Sequence, residues 1–195
     1  MPKLVTFNRR IRFKRLTEIM RVQGVPVYIH WSVFLVAAFF IAASLRSPWM
    51  AMIGGTCWMG IILLHECGHL IAARRKKYYV HEIELYPLWG ITFYDCPWSR
   101  VDRAVVAWGG VSAQMVVAVP CIAWILTFGY TRFQPVNLVL AFCGFYSLMV
   151  AAFNLLPVSP LDGSKAWDLF PALYLRTKER RNRRKVPLPR YRSLR

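Results

Sequence analysis

The chain has 195 residues, 56% of them hydrophobic, 15% aromatic and only 18% charged, which excludes an ordinary soluble domain, because a wetted surface needs more charge. Lysine and arginine outnumber aspartate and glutamate 26 to 9, a net charge of +17, so an acidic partner is expected. The basic residues fall at the two ends and in the run Arg74-Arg75-Lys76-Lys77, with apolar stretches between them; this pattern favours anionic lipid over nucleic acid.

In chain order, residues 1–26 read as a basic cytoplasmic segment, rich in arginine and lysine from Lys3 to Arg21. No cleaved leader is expected, because the first apolar run is long and lacks a small-residue cleavage site. Four stretches are long and apolar enough to cross a hydrocarbon core as helices: Val27 to Leu45, Trp49 to Ala73, Ala104 to Tyr130 and Val136 to Val158. Basic residues alternate in abundance from loop to loop, which puts both termini on the cytoplasmic side of the cell membrane. Between the second and third spans, the alternation Val80-His81-Glu82-Ile83-Glu84-Leu85, the turn Pro87-Leu88-Trp89-Gly90 and the run Ile91-Thr92-Phe93-Tyr94 predict a hairpin. It either lies at headgroup depth as an anchor or offers an edge to an extended peptide. The expected fold is therefore all-α: a polytopic bundle of about four transmembrane helices with a small membrane-associated hairpin. One membrane domain covers 27–170, and 171–195 forms a basic cytoplasmic tail, flexible from Lys178 onward. The five cysteines include no CxxC pair and read as reduced packing residues.

The chemistry lies in the second span, in His65-Glu66-Cys67-Gly68-His69. On a helix His65 and His69 are one turn apart on one face, so both imidazoles can reach one zinc ion while Glu66 reaches a water beside it. Ionisable groups in a spanning helix cost about 2.5–3.5 kcal/mol or more each, so three within five positions ask for a function. Hydrogen-bonding between helices is the structural alternative. Cys67 points off the histidine face, and Gly68 is small enough to let another helix approach. A third ligand must come from elsewhere. The third and fourth spans hold no ionisable residue, but the fourth ends in Asn154-Leu155-Leu156-Pro157-Val158-Ser159-Pro160-Leu161-Asp162-Gly163. Asp162 is thus the candidate, against the alternative of a turn or cap residue before Gly163.

These two motifs, in this order, resemble those of the site-2 protease family of intramembrane zinc metalloproteases, in a minimal form without PDZ or CBS domains; the resemblance covers roughly Val27 to Asp168. It implies one zinc per chain held by His65, His69 and Asp162, with Glu66 as general base. It also implies a membrane-protein substrate cut in or near its transmembrane segment. Asn154 would donate to the carbonyl oxygen that becomes negative during attack. Gln114, in Gly109-Gly110-Val111-Ser112-Ala113-Gln114, stands where the family usually has asparagine and would support substrate or transition state. The replacement at Gln114 leaves one alternative, a catalytically silent membrane adaptor that keeps the zinc fold. A small zinc transporter fits less well, since the third and fourth spans offer almost no polar path.

Overall fold

A computed structural model describes residues 16–44 and 47–185 of the chain. Two strands come first, β1 (Leu16–Val22) and β2 (Val25–His30), then helices α1 (Ser32–Ala43) and α2 (Pro48–Arg75). Strands β3 (Val80–Leu85) and β4 (Gly90–Tyr94) follow, and then the long helix α3 (Arg100–Phe128). Helices α4 (Gln134–Ala141) and α5 (Ser147–Asn154) run on through a π turn at Phe142–Tyr146 as one length, Gln134–Asn154. A short α6 (Gly163–Ala166) and a terminal α7 (Leu169–Lys185) complete the chain.

Three helices, Pro48–Arg75, Arg100–Phe128 and Gln134–Asn154, are long and apolar enough to cross a membrane. No more than 22% of the apolar window of each is buried in protein, so most of each surface is left for lipid. The first expected span is corrected. Val27 to His30 belongs to β2, and α1 has only 12 residues, about 18 Å of helix against a core of about 30 Å. The reason is visible in β2: Val25, Val27 and Ile29 are buried in alternation, the period of a strand. The turn before it, Gln23-Gly24, has positive φ at both positions, 50° and 82°, as a tight hairpin requires.

The all-α expectation is corrected as well, because the hairpin is half of a four-stranded sheet, ordered β1-β2-β3-β4. Outer pairs are antiparallel, while β2 and β3 are parallel, with Val27 opposite Ile83 and Ile29 opposite Leu85. Parallel neighbours need a crossover, and α1 with α2 supplies it, carrying the chain away from the sheet and back. The sheet therefore lies at the C-terminal end of α2. Val25, Val27, Ile29, Val80, Ile83 and Leu85 pack with Ile62, Leu70 and Ala73 of α2 in one core. Residues 16–26, expected within a basic terminal segment, are thus part of this sheet, and the tail expected to be flexible is helical from Lys178 to Lys185. The basic residues before Leu16 and after Lys185, with Leu45 and Arg46, lie outside the described residues.

Local contacts fix the approach of these elements. The hairpin turn is tied to α2 by Trp58, whose Nε1–H donates to the Pro87 carbonyl at 2.8 Å. The Tyr86 ring lies between His30 and Trp89, stacked on both, and its hydroxyl donates to Glu84. Burial, then that hydrogen bond, pushes the Tyr86 phenol up to about 12, so it remains a donor. Lys76 after α2 pairs with Asp102 in the first turn of α3 at 2.8 Å, and Ser99 caps α3 through the Asp102 N–H. Further along, α2 and α3 cross at glycines. A Cβ on Gly68 would strike the Gly109 carbonyl, and one on Gly109 would stand 2.7 Å from Ala72 Cβ. We expect Gly68→Val to destabilise the fold by about 3 kcal/mol or more, because rigid backbone blocks the new side chain. A thermal melt of the variant in detergent checks this; an unchanged midpoint would contradict the close crossing.

Candidate metal centre

His65 and His69 are both buried on the half of α2 that faces α3 and the sheet. Their Nε2 atoms stand 3.0 Å apart. Asp162 Oδ2 lies 2.9 Å from the first and 3.1 Å from the second. Among the described residues, these are the side chains grouped closely enough to hold a metal ion. Asp162 does occupy the N-cap position of α6, as its alternative reading anticipated, but its side chain makes no capping bond. Only its main-chain carbonyl serves that helix, accepting from Lys165 and Ala166. The carboxylate is left to the histidines.

Other groups hold the three donors in place. His69 Nδ1–H donates to the Val106 carbonyl at 2.8 Å, and His65 Nδ1–H to Gln114 Oε1 at 3.0 Å. With the proton on Nδ1, each ring presents an Nε2 lone pair. Two lone pairs and a carboxylate oxygen then meet within about 3 Å, an arrangement that repels itself unless a cation lies among them. Tetrahedral zinc at about 2.0–2.1 Å from each donor would need them about 3.3–3.4 Å apart, so a few tenths of an ångström of spreading suffices. The donor set fits zinc. Around it, a Cβ on Gly110 would stand 2.6 Å from the His65 ring, so α3 must carry glycine there. Asp162 is flanked by two ties: Trp167 Nε1–H donates to the Leu155 carbonyl before it, and Trp108 Nε1–H to the Ala166 carbonyl after it.

Glu66 is 4% exposed, and its Oε2 accepts from the Thr92 hydroxyl at 2.7 Å. Gly90 passes so close that a Cβ there would stand 2.7 Å from Glu66 Oε1. Gly90 was legible only as a turn residue, and Thr92 only as a strand residue; neither pointed to Glu66. Gln114 is fully buried behind His65; its Oε1 accepts from the ring while its Nε2 has no partner among the described residues, a placement that can orient the imidazole. Asn154, part-buried at the end of α5, makes no hydrogen bond to His65, Glu66, His69 or Asp162 among the described residues. We expect Gln114→Leu to weaken zinc affinity by about 10–100-fold, the usual effect of losing such a partner. Chelator competition on the purified protein measures it, and unchanged affinity would contradict the orienting role.

No family model matches the sequence. Rip3 of Mycobacterium tuberculosis, provisionally named a zinc metalloprotease, is 26% identical over 161 residues, which cover 74% of this chain and 41% of Rip3. Zinc metalloprotease MJ0392 of Methanocaldococcus jannaschii is 22% identical over 154 residues, covering 76% of this chain and 43% of the relative. The chain thus spans about two fifths of the length of these relatives. A solved site-2 protease from Methanocaldococcus jannaschii superposes with a TM-score of 0.62 at 20% identity, over 78% of this chain and 69% of that one; it shares the fold. The apolar helices and these relatives make the chain a membrane protein. The two motifs, far apart in the sequence, thus meet in space; the chain is similar to proteins named zinc metalloproteases and has the fold of a solved site-2 protease.

Proposed function

We propose that the chain is a zinc-dependent intramembrane endopeptidase that hydrolyses a peptide bond in or near the transmembrane segment of another protein. The observation that carries this reading is the convergence of His65, His69 and Asp162 next to Glu66 on a helix apolar enough to span the membrane. The three donors hold one zinc per chain. When bound, zinc supplies Lewis acidity toward a water molecule and the scissile carbonyl. Glu66 takes the proton of the attacking water and passes it to the leaving amine. Asn154, where α5 gives way to the segment leading to Asp162, offers its amide to the carbonyl oxygen as that oxygen becomes negative.

A peptide bond in a helix is shielded, so the substrate must be extended before it is cut. β4, the outer strand beside the site, suits an extended chain that adds by main-chain hydrogen bonds. The Arg74 to Lys77 run and α7 are basic, and we infer that they face the cytoplasm. Exposed Phe170, Leu173 and Tyr174 on α7 precede the basic stretch that includes Lys178, Arg180, Arg181, Arg183, Arg184 and Lys185, a composition suited to anionic headgroups.

Reconstitution tests the reading. Protein in liposomes with a panel of single-span membrane proteins should cleave at least one of them, lose cleavage on removal of the metal by a chelator, and regain it with added zinc. Cleavage that survives stripping of the metal would overturn the assignment.

A further inference from the structure

β4 does more than border the site. Gly90 and Thr92 stand two apart along the strand and so share a face, and both meet Glu66. A Cβ on Gly90 would stand 2.7 Å from Glu66 Oε1 and 2.8 Å from Cδ. The Thr92 hydroxyl lies 2.7 Å from Glu66 Oε2 and 3.2 Å from the Glu66 main-chain carbonyl. A hydroxyl has one proton to give, and the shorter, charge-assisted contact to the carboxylate is the stronger of the two. Among the described residues, the Glu66 carboxylate has no other hydrogen-bond partner, although it is almost completely buried. A long flexible side chain in that position would otherwise choose among rotamers; Thr92 selects one, fixes Oε2 and leaves Oε1 toward Gly90, where only the absence of a side chain gives it room.

We propose that Thr92 is a positioning residue for Glu66 and that, through it, strand pairing at β4 and orientation of the base are one event. β4 is one of the two outer strands of the sheet, paired among the described residues with β3 alone. An extended segment that pairs along it would stiffen the strand and, with it, the hydroxyl that holds Glu66. The inference deepens the protease reading and rests on it for the kinetic part of its test, though not for the structural part.

Thr92→Val removes the hydroxyl while keeping the branched shape and strand preference, and Thr92→Ser restores it. In zinc-loaded liposomes, Thr92→Val should keep its zinc and its KM to within about two-fold but lose kcat by about 10–100-fold, the pattern of an interaction needed only in the transition state. Thr92→Ser should recover kcat to within about three-fold. Infrared spectroscopy of protein carrying ¹³C-labelled glutamate gives a readout independent of turnover. The carboxylate band assigned to Glu66 by its loss in Glu66→Gln should shift in Thr92→Val and return in Thr92→Ser. If wild type cleaves nothing, the protease reading falls and the infrared comparison still decides the contact. An unmoved band, a kcat for Thr92→Val within about two-fold of wild type, or a failure of Thr92→Ser to recover would overturn the proposal.

Discussion

Glu66→Gln should leave zinc bound and lower kcat by about 10²–10⁴-fold, the contribution of a positioned general base. The substitution preserves what the surroundings see. Glutamine has the volume of glutamate, so it fits beside Gly90, and its amide oxygen can still accept from Thr92. His65, His69 and Asp162, which hold the metal in the proposed mechanism, are untouched. What the amide lacks is basicity, and it cannot take a proton from water. Metal analysis of the purified variant beside its kcat on a cleaved substrate separates the two effects. Loss of zinc would mean that Glu66 belongs to the metal shell, and near-normal turnover would mean that another group accepts the proton.

Asp162→Ala should strip the metal. The carboxylate faces both Nε2 atoms at 2.9 and 3.1 Å, and without it two histidines on one helix remain, one short of the usual protein set for catalytic zinc. The fall in affinity should exceed the roughly 10–100-fold of an outer-shell loss and carry activity with it. The fold should survive better than the site, since α6 is capped by the main-chain carbonyl of Asp162 and not by its side chain. Chelator competition gives the affinity, and a thermal melt shows whether structure was lost. Retention of zinc at wild-type affinity would assign the third ligand elsewhere.

Local geometry explains how much of this was legible. The spacing of His65 and His69 determines that they share a helix face wherever the helix goes, and the first carboxylate after a long apolar run singled out Asp162. The second, third and fourth spans were equally plain, because length and apolarity alone define them. The first span was misread because the apolar stretch from Val27 runs without a break from β2 into α1; the alternation of Val25, Val27 and Ile29 and the Gln23-Gly24 turn were the signals against a single helix. Contacts between distant elements left no such trace. That Gln114 lies behind His65, that Val106 lends its carbonyl to His69, and that Gly90 and Thr92 flank Glu66 all depend on how α3 and the sheet dock on α2. No spacing along the chain encodes that docking.

The most direct measurement is identification of the product termini after zinc-loaded wild type acts on single-span membrane proteins in liposomes, in water enriched in ¹⁸O. A new carboxyl terminus in or next to the transmembrane segment, carrying one ¹⁸O and absent with Glu66→Gln, is the predicted result. Cleavage only in segments remote from the membrane, or cleavage that Glu66→Gln leaves intact, would contradict it.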